Sequence, residues 1–384
     1  MVIDEKAMIA ERDRRVELIN KVMEDNGLDA VLFTALAMAT FQLPAKFFSN
    51  YQLNTRRSYV FCAKGEMPYL IVPTPGQVFH AKKISWLPED HLLSGDMMAI
   101  VKEKLAGHKV VGWYQPEEIP VGVYNVLMSC GVKFVDITKQ FTEARRTKSE
   151  YEIDLTKKAS KMAADSLVHV LSILEPGKST EQDLIGAAEG YIRAHGGTDS
   201  LILCRSQKPH SFISRALPVT IKKDGVFVYS AEVAGEGGYW TQVVRPIFMS
   251  RDAQPEAQAI LKVSKLAEAA ALKVLRPGYK ICDLGEAVEA VIKENGYKTG
   301  VWCGHGMGPD LGDAVDIGAS VKMDIVPGMI ITLHPSIVSD TDGLLYGNTF
   351  LTTEGDPICL TDYFNDSPYL EDLLAQAKGW EFGY

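Results

Sequence analysis

The chain has 384 residues, of which 46% are hydrophobic and 23% are charged. This length allows two domains with separate hydrophobic cores, and the composition is that of a globular protein rather than a disordered one. The formal net charge of −9 argues against a nucleic acid or an anionic membrane as partner, because those surfaces require a clustered basic patch. A small molecule or a protein is therefore the expected partner.

The amino-terminal segment is charged and amphipathic, and it lacks the apolar core of a signal peptide. No run in the chain approaches the roughly 20 apolar residues of a membrane span. These features predict a cytoplasmic protein. The six cysteines are scattered and contain no CxxC pair, so reduced thiols are expected rather than a disulfide framework.

Apolar residues at helical spacing predict a helix over residues 5–26, which Gly27 ends before the short strand DAVLFTA. Strand-like runs follow at SYVFCAK, MPYLIVPT and HKVVGWY, separated by helical stretches such as DMMAIVKEKLAG. Residues 1–143 are therefore predicted to form an α/β domain. A long amphipathic helix ended by Pro176 and Gly177 opens a second domain, predicted over residues 144–384.

The second domain contains an internal repeat, in which LEPGKSTEQDLIGAAEGYIRAHGG is similar to LRPGYKICDLGEAVEAVIKENGYK. In the first copy, Ser179 and Gln182 form a capping-box pattern at the start of a helix. Strand-rich sequence follows each copy. Two helical pairs that each precede antiparallel strands predict a pseudo-symmetric α+β domain, with the candidate site in a cleft between its halves.

The repeat, its Pro-Gly turns and the segments GHGMG (304–308), VPGMIITLHP (326–335) and LYGNTFLTTEG (345–355) resemble the pita-bread superfamily. That superfamily includes methionine aminopeptidase, proline-specific aminopeptidases, prolidase and creatinase, and the first domain resembles the amino-terminal domain of creatinase and prolidase. The resemblance implies a two-domain α+β fold. It also implies a site in which two aspartates, one histidine and two glutamates hold two divalent ions.

The five implied ligand positions fall here on Ala231, Gln242, His305, His334 and Gly347. Only His305 keeps its ligand type, and the companion histidine seven residues further along is replaced by Gly312. Hard divalent cations need several carboxylate oxygens, so the sequence predicts no metal and no cofactor at this site. One alternative stays open: a different metal site built from Glu232, Asp310, Asp313, His305 and His334.

Creatinase is the precedent in this fold for hydrolysis without a metal, and the resemblance to it implies a histidine as general acid and base. His210, in SQKPHSFISR, is the first candidate, and His334 and His305 are further catalytic candidates. An imidazole with a pKa near 6.5 can take a proton from water and return one to a leaving nitrogen. The function predicted from these residues is metal-independent hydrolysis of a C–N bond in a small non-peptide amide, amidine or ring compound.

The candidate substrate-binding residues are Glu232, Gln242, Trp240, Asn348, Arg56 and Arg57. Strand alternation leaves open whether Glu232 faces the cleft or points away from it. The two glutamates that bind guanidinium in creatinase correspond here to Val244 and His334, so creatine is a disfavoured substrate. The resemblance also implies a homodimer in which the amino-terminal domain reaches the neighbouring site, where Arg56 or Arg57 is a candidate to bind a substrate carboxylate.

Two other functions stay open on the sequence. The first is a peptidase or lyase of the same fold with an atypical metal site. The second is a non-catalytic pita-bread module that recognises a protein, although such modules usually sit in longer chains or carry charged tails.

Overall fold

The computed structural model describes residues 5–383, which divide into two compact units, the first ending at Tyr151 and the second beginning at Glu152. The predicted boundary at 143/144 falls in the last helix of the first unit, slightly before the division between the units. Among residues 5–383, no helix has the length and apolar character needed to cross a membrane. The fold prediction of two units that mix helices and strands is confirmed.

The first unit is a six-stranded mixed sheet with helices packed on it, in the strand order β4-β3-β2-β1-β5-β6. Its strands are β1 Ala30–Leu36, β2 Arg57–Ala63, β3 Tyr69–Val72, β4 Leu92–Ser94, β5 Val110–Trp113 and β6 Lys133–Asp136. Its helices are α1 Glu5–Asp25, α2 Leu43–Ser49, α3 Pro75–Ile84, α4 Met97–Leu105, α5 Val121–Met128 and α6 Thr138–Ala144. Separate apolar clusters cover the two faces of the sheet, which accounts for the continuous apolar runs in β1 and β2.

The second unit repeats a pair of helices followed by antiparallel strands. Its first half contains α7 Glu150–Ile173, α8 Glu181–Ala194, β7 Asp199–Arg205, β8 Val226–Ala234 and β9 Trp240–Phe248. Its second half contains α9 Pro255–Val274, α10 Ile281–Glu294, β10 Lys298–Thr299, β11 Gly304–Met307, β12 Leu311–Asp316, β13 Ile330–Leu333, β14 Ser336–Val338, β15 Gly343–Leu345, β16 Asn348–Leu351, β17 Ile358–Cys359 and α11 Leu370–Ala377.

The capping box of the first copy lies one residue later than the sequence pattern indicated. Thr180, not Ser179, is the N-cap of α8, and it pairs reciprocally with Asp183 rather than Gln182. Ser179 is used elsewhere, because its hydroxyl accepts the Glu175 N–H. Both residue pairs have the spacing of a capping box, so the pattern alone did not distinguish them.

The two halves of the second unit meet where β9 lies beside β16. Val244 and Gly347 exchange backbone hydrogen bonds of 3.0 and 3.2 Å. These bonds link the β7-β8-β9 sheet to the five-stranded β12-β11-β13-β16-β17 sheet. The polar residues of β8, β9, β11 and β13 are therefore held by one continuous backbone framework.

A buried guanidinium reinforces this junction. Arg245 is 3% exposed, and it donates hydrogen bonds to oxygens of Val244, Gly347, Asn348, Thr361 and Tyr363. A planar group with five donors suits this arrangement, which a lysine ammonium cannot reproduce.

We expect Arg245→Lys to lower the free energy of unfolding by about 3 kcal/mol, because several buried oxygens lose their donors. Urea denaturation followed by circular dichroism measures this loss. Arg251→Lys is the matched control, since the Arg251 side chain is 57% exposed, and it should leave the midpoint nearly unchanged. Equal midpoints for the two variants would show that the buried network contributes little.

Candidate functional site

The register of β8 against β9 decides which side chains share a face. Glu232 lies directly opposite Gln242, and Ala231 lies opposite Val243. Ala231 and Val243 belong to the apolar cluster that α7 and α8 cover, so Glu232 and Gln242 occupy the other face of the hairpin. The residue count placed the first lost ligand at Ala231. The structure corrects that position: Glu232 shares the face of Gln242, and Ala231 points into the core.

The polar atoms on this face are buried and unsatisfied. Glu232 is 8% exposed and Gln242 is 3% exposed, and among the described residues neither Glu232 Oε2 nor Gln242 Oε1 has a hydrogen-bond partner. The Gln242 amide nitrogen donates to Ser230 Oγ at 3.4 Å. Burial raises the pKa of Glu232 to about 8, so this carboxyl group keeps its proton at neutral pH. Buried polar atoms without partners indicate a place where a ligand or water binds.

Two histidines lie together on the second half of the unit. His305 is on β11, His334 follows β13, and their ring centroids are 5.3 Å apart. His305 Nδ1 lies 3.1 Å from the carbonyl oxygen of Gly306, whereas His334 Nδ1 is buried with no hydrogen-bond partner in the part of the chain that the structure describes. Burial lowers the pKa of His305, and burial together with the nearby His305 lowers the pKa of His334 to about 3. Both imidazoles are therefore neutral at physiological pH.

A row of threonines connects the β9 backbone at Gln242 to the strand of His305. The Gln242 backbone N–H donates to Thr349 Oγ1 at 3.1 Å, and the Thr349 and Thr332 hydroxyls are 2.8 Å apart. Thr332 in turn lies opposite His305 in the β11–β13 register. Because directly opposite residues in a sheet point to the same face, these side chains form one polar row.

The residues at this site do not fit the two-metal centre of the superfamily. Gln242 presents a neutral amide where the resemblance implies a carboxylate, and Gly347 has no room for a side chain, because a Cβ there would lie 2.6 Å from the Leu333 oxygen and 2.7 Å from His334 Cβ. Across the described part of the chain, no three His, Cys, Asp or Glu side chains converge to hold a metal ion. The alternative set with Asp310 and Asp313 is likewise not gathered around one point.

Asn348 has a different environment from the one predicted. Its side chain uses all of its hydrogen-bonding capacity: the oxygen accepts from Arg245 and Thr361, and the nitrogen donates to Glu268 and Tyr346. Asn348 therefore stabilises the junction between the halves and is not part of the proposed site. Trp240, by contrast, is two residues from Gln242 on the same face of β9, fully buried.

His210 lies in a separate cluster, where its Nδ1 is 2.8 Å from Asp342 Oδ1. In the described residues it makes no hydrogen bond to His305 or His334. Asp342 is in the turn between β14 and β15, and the sequence analysis did not select it. Its only signal there was a TDG segment, which is typical of turns.

Arg56 and Arg57 lie in the first unit. Arg56 has a left-handed backbone, with φ of 64°, and Arg57 begins β2. Their role in binding a substrate carboxylate and the homodimer that this role requires stay predictions.

The second unit is similar to known peptidases. The profile of metallopeptidase family M24 matches residues 154–354. An uncharacterized peptidase of Staphylococcus saprophyticus is 29% identical over 242 residues, which are 60% of this chain and 67% of the relative. The uncharacterized peptidase YqhT of Bacillus subtilis is 25% identical over 240 residues, 60% of this chain and 66% of the relative. The matches thus span about two thirds of these relatives.

Solved structures with the same fold cover nearly the whole chain. The prolidase of Pyrococcus horikoshii superposes with a TM-score of 0.80 at 20% identity, covering 92% of this chain and 99% of that one. The X-Pro aminopeptidase of Thermotoga maritima gives 0.80 at 17% identity, with coverage of 92% and 99%. Dipeptidase PepE of Mycobacterium ulcerans gives 0.79 at 18%, with coverage of 96% and 100%. The predicted pita-bread fold is confirmed, whereas the expected creatinase-like character has no support among these proteins.

We expect Gly347→Ala to destabilise the protein by roughly 2 kcal/mol, because the added methyl group forces the His334 segment away from β16. Gly318→Ala is the control, since a Cβ there meets nothing within 4 Å. Thermal unfolding of both variants tests this. A Gly347→Ala protein as stable as the control would contradict the close approach of the two segments.

We also expect Glu232 to make the stability depend on pH. The pKa of Glu232 is about 8 in the folded chain, against an ordinary value of 4.5. Between these two pH values only the unfolded chain loses the proton, so the free energy of unfolding falls as the pH rises from 4.5 towards 8. Glu232→Gln removes this penalty and should raise the free energy of unfolding at pH 7 by roughly 3 kcal/mol, with no gain at pH 4.5. Urea titrations at the two pH values measure the difference, and a gain of equal size at both would be inconsistent with a raised pKa.

Proposed function

The chain belongs to metallopeptidase family M24, a family of hydrolases, and on that premise we propose that it hydrolyses the amide C–N bond of a short peptide. The proposed site is the face that carries Glu232 and Gln242 together with His305 and His334. Because its residues do not fit the two-metal centre, the proton transfers are assigned to side chains of this chain.

The choice of a peptide substrate is supported by the relatives. Those named above are a prolidase, a proline aminopeptidase, a dipeptidase and uncharacterized peptidases. The residues taken alone favour a small non-peptide amide, amidine or ring compound, with a peptidase or lyase that has an atypical metal site as an alternative. These names support the peptidase alternative better, although the match to the curated relatives covers only about two thirds of their length.

The observation that carries the proposal is the position of Glu232 opposite Gln242, with an unpartnered oxygen on each side chain. A carboxyl group that is protonated at neutral pH can donate to a peptide nitrogen, and the Gln242 oxygen can accept an N–H from the substrate. A site with these groups is electrically neutral, which suits the uncharged amide bond of a peptide.

The reaction then needs two proton transfers. A neutral imidazole accepts a proton from water as the water oxygen attacks the carbonyl carbon, and the Glu232 carboxyl group gives its proton to the departing nitrogen as the C–N bond breaks. The imidazolium afterwards returns its proton to Glu232, directly or through water, which restores both groups. His305 and His334, whose rings are neighbours, are the candidate bases at this site, and the role predicted for His210 from the sequence stays a prediction.

We expect the purified protein to hydrolyse members of a panel of Xaa-Pro and Xaa-Ala dipeptides, and to keep this activity after dialysis against a chelator. Glu232→Gln should lower kcat by at least about 10²-fold, because it removes the proton donor. In the wild type, kcat/KM should fall above pH 8, as Glu232 loses its proton. Release of free amino acids, measured by mass spectrometry, gives the rates.

Glu236→Gln is the matched control, because Glu236 lies in the turn of the same hairpin with its side chain 36% exposed. It should keep the wild-type rate. Activity that disappears with chelation and returns with Mn²⁺ or Co²⁺ would contradict the proposal, as would full activity of Glu232→Gln. Turnover of small amidines or cyclic amides without turnover of any dipeptide would favour the non-peptide alternative.

A further inference from the structure

The second unit also carries a surface groove, with a volume of about 280 Å³, that is lined by none of the residues of the proposed site. It lies between α10, the segment 299–303 before β11 and the segment 317–319 after β12, and we call it the α10 groove. Its floor consists of Val288, Cys303 and Ile317, which are each at most 5% exposed. A side chain that enters the groove therefore meets an apolar surface.

An exposed tryptophan borders the α10 groove. Trp302 is 61% exposed, although side chains of this type are mostly buried in folded proteins. On one side of it, the Gly300 N–H donates to the backbone oxygen of Ser336 at 2.8 Å. On the other side, the backbone oxygen of Cys303 accepts the His334 N–H at 2.8 Å. The indole is thus presented by a backbone that is held at both ends, and its exposure indicates a contact surface.

Two carboxylates border the same groove. Glu286 and Glu289 are three residues apart on α10, so they lie on one face of the helix, and both are exposed. Among the described residues, neither side chain makes an ion pair or a hydrogen bond. Burial, and to a smaller extent the charge of Glu289, raise the pKa of the Cys303 thiol to about 11, so the field of this carboxylate reaches the floor. Like charges at this spacing repel each other, and a cation placed between them offsets the repulsion.

A second depression continues the α10 groove along the helix. Glu286 and Glu289 line it too, and it extends to Lys293 and Glu294, so three carboxylates and one ammonium follow this surface. Glu286 and Glu294 are eight residues apart, which corresponds to about 12 Å along a helix. An extended peptide covers that distance with about four residues. The surface therefore has the length of a short peptide segment rather than that of one small cation.

The chemistry of this surface defines the partner that it fits. The face of an indole attracts Lys and Arg side chains, and carboxylates supply the opposite charge. An acidic or phosphorylated segment is repelled by the same carboxylates. The apolar floor favours a hydrophobic residue next to the cation.

We propose that the α10 groove binds an extended segment of a partner protein in which Lys or Arg side chains are flanked by apolar residues. The cation lies between the Trp302 indole and the carboxylates of Glu286 and Glu289, and the apolar neighbour fills the floor. This interaction does not depend on the proposed hydrolysis or on its substrate.

Binding is tested on the full chain labelled with 5-fluorotryptophan, because the five tryptophans give separate ¹⁹F signals. The Trp302 signal is assigned by its loss in Trp302→Phe. The probe is the peptide Leu-Arg-Leu-Lys, acetylated and amidated so that only its side chains are charged, and the matched neutral peptide is Leu-Gln-Leu-Gln. We expect the cationic peptide to shift the Trp302 signal, to leave the other tryptophan signals unchanged and to bind more weakly as salt is added.

Charge variants show whether the two carboxylates hold the peptide. Glu286→Gln/Glu289→Gln should raise Kd at least about tenfold, because the charges opposite the cation are gone. Glu66→Gln/Glu354→Gln is the matched control, since it removes two exposed carboxylates elsewhere, and it should keep the wild-type Kd.

Three results would overturn the proposal. The first is a Trp302 signal that stays in place at millimolar cationic peptide or moves equally with the neutral one. The second is an equal loss of affinity in the two double variants. The third is a Trp302 signal that changes with protein concentration in the absence of peptide, which would assign the groove to a second copy of this chain.

Discussion

The pairing register of β8 with β9 is the constraint on which the candidate site depends. Side chains alternate between the faces of a strand, so a slip of one residue would turn Glu232 towards the helices and Ala231 towards the polar row. The apolar cluster under α7 and α8 opposes this slip, since it would bury a carboxyl group among aliphatic side chains. The hydrophobic core of the first half thus fixes the chemistry of the opposite face.

The junction of the two halves adds a second constraint. Gly347 allows its segment to approach His334 so closely that no side chain fits, and Arg245 binds the oxygens on either side of this contact. The packing at Gly347 therefore leaves no space for the glutamate that the resemblance implies at this position. A single substitution back to glutamate would require the backbone to move before any ligand position could be restored.

Local patterns were enough to predict the fold. Helical spacing, Pro-Gly turns and the internal repeat all act over short stretches, and the helices and strands follow them closely. The capping box was misplaced by one residue because Ser179 and Thr180 both had suitable partners three residues on. Signals of this kind define helices and strands, but they define their ends less well.

The site was predicted only in part, because its geometry depends on contacts distant in sequence. Glu232, Gln242, His305 and His334 were selected, but only the strand register shows that Glu232 replaces Ala231 on the polar face. Asp342 and His210 are hydrogen-bonded although they are 132 residues apart in the sequence. The Asn348 side-chain oxygen likewise accepts a hydrogen bond from Arg245, 103 residues away. Residue type and spacing carry no information about such pairs. Asp342 was therefore not distinguished from other turn aspartates, and the Asn348 amide was predicted to bind a substrate.

We propose that this member of a metallopeptidase family carries out hydrolysis with neutral side chains and without a metal ion. The most direct test is the metal content per chain of protein purified without chelators from metal-replete cells, measured by inductively coupled plasma mass spectrometry. We expect Mn, Fe, Co and Zn contents far below one ion per chain. One or two tightly bound ions per chain would contradict it and would mean that Glu232, His305 and His334 rearrange into a metal site.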